Sequence, residues 1–300
     1  MNARLLFIYA ISPLHAGTGQ GVGVIDLPIA REKATGIPFL PGSSVKGTLR
    51  DLCKDPKKED VFGPETTNAD EFAGAAQFAD QRLLMLPIRS LAGTFAWVTS
   101  PYLLKRFLRD AKDANPKASP QLAAPSVDDK KCVVIKAANG SQTKCALKLR
   151  VNNADRVVLE DLDLDPGEDD LATKWAQAIG KQVFDDSEWQ KMFGERFCIV
   201  SDNVLSFLLD TATEITARIK LLDEAKTVQR GGLWYEEALP AETILYGFVL
   251  ATPTGHHRNR GVDEAEIFKV VGNSIEPVVQ LGGKATVGRG LCRVRLEGAT

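Results

Sequence analysis

Hydrophobic positions along the chain follow two periods, and the switches between them mark its elements. A nearly continuous apolar run at residues 3–12 predicts a buried first strand. Residues 75–86 and 89–98 read as two further strands entering the core. Ser100-Pro101 then opens a helix over 101–112, with Leu103, Leu104, Phe107 and Leu108 on its inner face. A second long helix is predicted over 171–193, where Trp175, Ile179, Val183 and Phe184 are spaced for burial. Alternation over Thr213-Glu-Ile-Thr-Ala-Arg-Ile-Lys-Leu221 predicts a hairpin strand, with residues 198–209 leading into it. It is answered by 232–240 and again by 243–251. A short helix over 263–272 and a strand, Gly-rich turn and strand over 278–296 complete the series.

The stretches between these elements are unequal. Residues 13–40 are rich in Gly and Pro and too long for an ordinary connection, and loops of that length are usually functional. A helix follows over 43–54, and Phe62-Gly63-Pro64-Glu65 begins another loop. Residues 113–130 are polar and Pro-rich. Cys132–Lys136 and Cys145–Arg150 flank Asn139-Gly140, a strong turn signal, and predict a hairpin. The acidic run from Glu160 to Asp170 reads as a solvated loop. There is no internal repeat and no linker, and the pattern is that of a strand-rich α+β chain with insertions.

Composition narrows the class of protein. The 300 residues are 44% hydrophobic and 25% charged, enough for a sizeable core. The formal net charge of −2 argues against a free-standing nucleic-acid binder, yet leaves room for a basic groove on one face. No apolar run approaches the roughly 20 residues of a membrane span. The N-terminus carries no signal-peptide cleavage pattern. Five cysteines without a Cys-x-x-Cys pair read as reduced thiols, and the expected location is cytoplasmic.

Candidate chemistry concentrates in the glycine-rich segments. Gly17-Thr-Gly-Gln-Gly-Val-Gly23 does not fit the dinucleotide fingerprint. It precedes Asp26, the lone acid of a mostly apolar stretch, which is either an Asx turn before Pro28 or a catalytic carboxylate on a mobile loop. His15 precedes the glycines, where a structural role is the commoner one. In Thr35-Gly-Ile-Pro-Phe-Leu-Pro-Gly-Ser-Ser-Val-Lys-Gly-Thr-Leu-Arg50, Ser43 or Ser44 is placed to cap a helix. Lys46 and Arg50 share one face of that helix, so its start suits a phosphate. Leu281-Gly-Gly-Lys-Ala-Thr-Val-Gly-Arg-Gly290 fails the P-loop pattern, but Lys284 and Arg289 lie among glycines that let a backbone approach phosphates. Glu236 and Glu237 would face opposite sides of a strand, so at most one can enter a given site. Trp234 reads as core. Asp80 reads as a buried structural acid paired with Arg82 or Arg89.

Several of these segments together resemble one family. They are Asp26-Leu-Pro-Ile-Ala-Arg-Glu32, Pro41-Gly-Ser-Ser-Val-Lys-Gly-Thr-Leu-Arg50, Leu86-Pro-Ile-Arg-Ser90, Trp97-Val-Thr-Ser-Pro101, Leu233-Trp-Tyr-Glu-Glu237 and the terminal glycine-rich loop. From about residue 3 to about 295 the chain resembles the repeated backbone subunit of type III-B CRISPR effector complexes, within the RAMP superfamily. The resemblance implies a single ferredoxin-like (RRM-like) palm over 1–300, a β-hairpin thumb at about 213–246 and a finger-like insertion at about 113–170. It implies copies lined up in a helical filament on guide CRISPR RNA, together with the small, large and end-capping subunits. The filament would cut complementary single-stranded target RNA at regular intervals. Catalysis would fall on Asp26, supported by His15 and one of Glu236 and Glu237, with Glu237 preferred from its spacing to Pro240. A divalent cation, Mg or Mn, would be held jointly by Asp26 and RNA phosphate. Ser43, Ser44, Lys46, Arg50, Lys284 and Arg289 would meet RNA, with Arg218 and Arg230 from the thumb. No membrane contact is implied. The alternatives are a non-cleaving guide-RNA scaffold of the same superfamily, a stand-alone guide-processing ribonuclease, and a small-nucleotide enzyme.

Overall fold

A computed structural model describes residues 2–19, 21, 23–65, 67, 72–117, 119–137, 144–222, 227–252 and 262–298. Its first strand, β1 (Asn2–Ala10), alternates Leu6, Ile8 and Ala10 toward one face and Leu5, Phe7 and Tyr9 toward the other. Both faces are covered, which is why the sequence shows an apolar run there rather than a period of two. The chain continues through β2 (Phe39–Leu40), α1 (Gly42–Leu52), α2 (Lys58–Phe62), β3 (Ala76–Phe78), β4 (Gln81–Arg89), β5 (Phe95–Thr99) and α3 (Pro101–Ala114). Then come β6 (Lys131–Ile135), β7 (Leu149–Val151), β8 (Ala154–Leu159), β9 (Leu162–Asp169), α4 (Asp170–Val183), α5 (Ser187–Glu195), β10 (Phe197–Val200) and α6 (Asp202–Thr211). The last elements are β11 (Glu214–Leu221), β12 (Val228–Ala238), β13 (Ile244–Ala251), α7 (Glu264–Asn273), β14 (Val279–Gln280) and β15 (Leu291–Leu296).

Thirteen strands form one mostly antiparallel sheet, ordered β14-β15-β1-β13-β4-β5-β10-β6-β9-β8-β7, with β2 and β3 pairing β4 and β13. Helices α1, α2, α6 and α7 pack on the Leu6–Ile8 face. Helices α3, α4 and α5 pack on the other, around Trp97, Phe107, Trp175 and Phe193. The architecture is thus α+β, as expected. Strands β11 and β12 form a separate two-stranded hairpin outside this sheet. All five cysteines are free. Among the described residues, no helix is long and apolar enough to cross a membrane.

Several local expectations are corrected. Residues 132–136 and 145–150 do not form a hairpin: β6 pairs β9 in parallel and β10 antiparallel, and β7 pairs β8. The expected turn at Asn139-Gly140 lies outside the described residues. The acidic run is a strand, not a loop. In β9 Leu164 is buried while Asp163 and Asp165 face out, with Arg156 beside both acids. The helix expected over 171–193 is two helices. The Asp186 side chain accepts the Glu188 and Trp189 amides and caps α5, which breaks the run. Residues 198–209 hold α6, capped by Ser201, with Val204, Leu205, Leu208 and Leu209 turned inward. The hairpin ends at Ala238, and Ile244–Ala251 joins β1 and β4 in the main sheet.

Helix α1 differs in its cap. It starts at Gly42 with Pro41 at the capping position and no side-chain cap, so neither Ser43 nor Ser44 fills that role. The Gly42 amide instead donates to Asp80 Oδ1 at 2.9 Å. That hydrogen bond is the role of Asp80, whereas Arg82 pairs with Asp110. The close approach requires glycine, since a Cβ on Gly42 would lie 2.2 Å from the Phe78 carbonyl oxygen. Gly47, in the same motif, has open space around it. Gly42→Ala is therefore expected to destabilise the fold by about 1–3 kcal/mol through overpacking. Gly47→Ala is expected to stabilise it by about 0.5–1 kcal/mol through helix propensity. Urea unfolding of the two variants against the parent checks both signs.

Candidate active site

The long segment between β1 and α1 is stitched down by isolated bridges rather than left as a free loop. Leu14 bridges Leu239, His15 bridges Gly283, Gly17 bridges Ile29, and Leu27 runs parallel to Glu236. These contacts gather three chain regions at the base of the β11–β12 hairpin: residues 14–31, the end of β12, and the C-terminal glycine-rich loop. Asp26, His15, Glu236, Glu237, Arg218, Lys284 and Arg289 all belong to this cluster.

Asp26 is exposed, but its position is set by β12 backbone. Its Oδ2 accepts the Tyr235 amide at 2.7 Å, and the Leu27 amide donates to the Tyr235 carbonyl at 3.0 Å. The Glu237 amide in turn donates to the Leu27 carbonyl at 3.0 Å. The freedom expected of loop 17–23 therefore ends at Asp26. Among the described residues Oδ1 of Asp26 has no hydrogen-bond partner, which leaves it available to a ligand.

The two glutamates diverge as strand alternation requires. Glu236 is 5% exposed. Its Oε1 accepts from Lys284 Nζ at 2.7 Å and Trp234 Nε1 at 2.8 Å, and Oε2 accepts from Arg218 Nε at 3.3 Å. Burial alone would raise its pKa, but the Lys284, Trp234 and Arg218 contacts outweigh it and hold the carboxyl at about 2. Glu237 is 3% exposed. Its Oε1 accepts from Arg31 Nη2 at 2.6 Å, and its Oε2 accepts the Ile29 amide at 3.1 Å. Both carboxylates are thus committed to internal partners.

His15 is 7% exposed. Its Nδ1 lies 2.6 Å from the Glu237 carbonyl oxygen, which can only accept, so Nδ1 carries the proton in that contact. The other nitrogen, Nε2, faces Gly17, where a Cβ would come within 2.5 Å. The ring is therefore fixed beneath the glycine loop.

The cations divide into two sets. Lys284 and Arg218 are paired with Glu236, and Arg289 donates to Glu214 at 2.7 Å and Thr216 at 3.1 Å. Arg230 is exposed on the hairpin with no carboxylate beside it among the described residues. On α1, Lys46 and Arg50 lean toward the Phe62-Gly63 turn, where Arg50 Nε donates to the Gly63 carbonyl at 3.3 Å. Ser43 is exposed and Ser44 half-buried in the first turn. This helix meets the glycine-rich loop through Thr48, whose hydroxyl donates to the Gln280 carbonyl at 3.4 Å. Arg31, given no role from sequence, is the residue that reasoning missed. The sequence carries no local signal for it, because the burial of Glu237 that calls for a cation shows only in the fold.

The hairpin has two unlike faces. Cross-strand register places Ile215, Ala217, Ile219, Leu233 and Tyr235 on one, and Glu214, Thr216, Arg218, Trp234 and Glu236 on the other. Trp234 is thus part of the polar anchor rather than of the core. Ile219 and Leu233, directly opposite each other, are each 52% exposed.

For a divalent cation, no group of three or more His, Cys, Asp or Glu residues is arranged as a metal cage among the described residues. Asp26 offers one free carboxylate oxygen. That fits an ion such as Mg²⁺, which keeps several waters and shares one or two carboxylates with substrate phosphates.

A profile described as the RAMP superfamily matches residues 7–293, and the chain belongs to that superfamily. It is 37% identical over 308 aligned residues to the CRISPR system Cmr endoribonuclease Cmr4 of Pyrococcus furiosus, covering 100% of this chain and 97% of that protein. The crystal structure of oligomeric Cmr4 from Pyrococcus furiosus superposes with a TM-score of 0.71 at 28% identity, covering 99% and 98% of the two chains. A chain of the type III-B Cmr-beta complex bound to cognate target RNA shares the fold, with a TM-score of 0.69, 20% identity and coverage of 99% and 97%.

The Glu236 cluster makes stability depend on acid. A carboxyl lowered from 4.5 to about 2 stabilises the folded chain fully above about pH 4.5, and that contribution disappears as pH falls through 2. Its size is on the order of 3 kcal/mol. Glu236→Gln is expected to lose this stability at pH 7 and to flatten the fall of stability between pH 4.5 and 2. Urea unfolding across that range measures both.

Proposed function

We propose that this chain is the repeated guide-RNA-binding backbone subunit of a type III-B effector complex, and that it cuts target RNA with Asp26. The observation carrying this reading is the Asp26 carboxylate, exposed and held by β12 backbone at the foot of a projecting hairpin. Family membership and the 37% identity to an endoribonuclease over the whole chain support the same assignment.

In this reading the β11–β12 hairpin is the thumb and the main sheet with its helices the palm. The apolar face of Ile219, Leu233 and Tyr235 wedges between stacked bases and displaces one nucleotide of the guide–target duplex. Displacement frees the ribose–phosphate backbone to rotate. The 2′-OH then attacks the adjacent phosphorus in line while Asp26 takes its proton. The P–O5′ bond breaks, leaving a 2′,3′-cyclic phosphate and a 5′-hydroxyl that takes up a proton. His15 and Glu237 brace the loop that presents Asp26. A divalent cation held by Asp26 and the phosphate oxygens would neutralise charge developing on the phosphate.

Arg230, Lys46 and Arg50 are the cations best placed for phosphate, because no carboxylate among the described residues neutralises them. Ser43 and Ser44 stand beside the last two. Lys284, Arg289 and Arg218 order the loop and hairpin that border the groove. Such contacts carry no sequence preference, which guide pairing supplies. The filament of copies, the partner subunits and the cytoplasmic setting complete the proposal.

Asp26→Asn in the reconstituted complex is expected to lower target cleavage by at least about 10²-fold. Guide and target affinities should be unchanged. Gel analysis of a guide-complementary RNA, with and without Mg²⁺, reads both terms. A regular cleavage ladder that persists in the variant would leave the chain as a scaffold that measures RNA without cutting it.

A further inference from the structure

We infer that Arg31 is the positioning residue for Asp26, an inference that rests on the catalytic reading of Asp26 above. Arg31 lies five residues beyond Asp26, on the same stitched segment. Its guanidinium reaches three chain regions at once. Nη2 donates to Glu237 Oε1 at 2.6 Å and to the Leu209 carbonyl, in the last turn of α6, at 3.0 Å. Nη1 donates to the Gly36 carbonyl at 3.0 Å.

Glu237 relays this anchorage to the loop. With Oε1 held by Arg31, Oε2 points at the Ile29 amide and accepts it at 3.1 Å. Ile29 also bridges Gly17, directly above the His15 ring. The Glu237 backbone holds both the His15 Nδ1 proton and the Leu27 carbonyl. Glu237 therefore touches positions 15, 27 and 29, on both sides of Asp26, and Arg31 is the cation that holds this carboxylate in one rotamer. Without it a carboxylate 3% exposed would be buried unpaired, a strongly disfavoured state that rotation toward another partner relieves. That rotation removes the acceptor seen by Ile29 and loosens the backbone that aims Asp26.

A lysine could neutralise Glu237 but is a single point of charge. It lacks the planar fork that spans Glu237, Leu209 and Gly36. The guanidinium hydrogen bonds of Arg31 go to Gly36, Leu209 and Glu237 and none goes to Asp26, so its effect runs through Glu237.

The test uses the full reconstituted complex with Arg31→Met, Arg31→Lys and Asp26→Asn. It combines single-turnover cleavage rates, target-RNA dissociation constants, and amide exchange of the peptide spanning 26–29. Arg31→Met is expected to lower the cleavage rate about 10²-fold, and Arg31→Lys about 10-fold, the scale of a misplaced catalytic group. Target affinity should change less than about twofold, against the cost of a lost phosphate contact. Exchange should accelerate at 26–29 and not in β1 or β13.

A wild-type rate in Arg31→Met and Arg31→Lys beside an inactive Asp26→Asn would overturn the role of Arg31 and leave Asp26 in place. Loss of target binding in step with cleavage, or faster exchange throughout the sheet, would equally overturn it in favour of a general structural role. If Arg31→Met does not assemble, the Arg31→Lys rate at unchanged affinity decides: reduced supports the inference, wild-type overturns it. An Asp26→Asn complex that cuts normally would overturn both readings, since nothing would remain to be positioned.

Discussion

Two neighbouring carboxylates buried at the end of β12 govern how the base of the hairpin is built. A strand turns successive side chains to opposite faces, so Glu236 and Glu237 cannot share a counter-charge. Each must find its own, from its own side, because an unpaired buried carboxylate is strongly unfavourable. On one side Lys284 and Arg218 close on Glu236. On the other Arg31 closes on Glu237. Meeting both demands draws in the C-terminal glycine loop and the long N-terminal segment, which are otherwise remote from each other in sequence. The exposed Asp26 is a by-product of that closure, delivered by a segment whose route is set from either side.

The same pairing explains how a protein of net charge −2 can be suited to a polyanion. Cations at the foot of the hairpin are balanced internally, so they shape its base without making the subunit strongly basic. The cations with no carboxylate beside them among the described residues, Arg230 on the hairpin and Lys46 and Arg50 on α1, sit on different elements. Copies stacked along a strand would bring such scattered charges into one continuous track, with the binding field produced by assembly.

Sequence patterns revealed most where one physical cause dominates. The apolar run of β1 reports burial on both faces, Ser100-Pro101 reports the cap of α3, and the alternation of β11 reports a strand with one apolar face, and each was legible. The adjacency of Glu236 and Glu237 likewise announced their opposite directions. Patterns failed where a local polar group overrode periodicity, as with Asp186 splitting α4 from α5 or Asp80 replacing Ser43 and Ser44 at the start of α1. They failed again in β9, where Asp-Leu-Asp-Leu looks like a solvated run by charge but a strand by period. Arg31 escaped notice because its partner is 206 residues away. Nothing local in the sequence announces such a pair.

A strand bearing two like charges in succession is only partly fixed in registration by its ion pairs. Shift β12 by one residue, and one glutamate would take its neighbour's place beside that neighbour's cation, while the other moved about 7 Å from the site on its new face. One of the two ion sites would stay filled, so charge alone is a weak guide to alignment. Registry therefore has to be held by groups that are not interchangeable: the Leu14–Leu239 bridge, the alternation of Ile219 and Leu233, and the Tyr235 amide that meets Asp26. In this hairpin, charge decides that the base closes, and apolar side chains and backbone decide where.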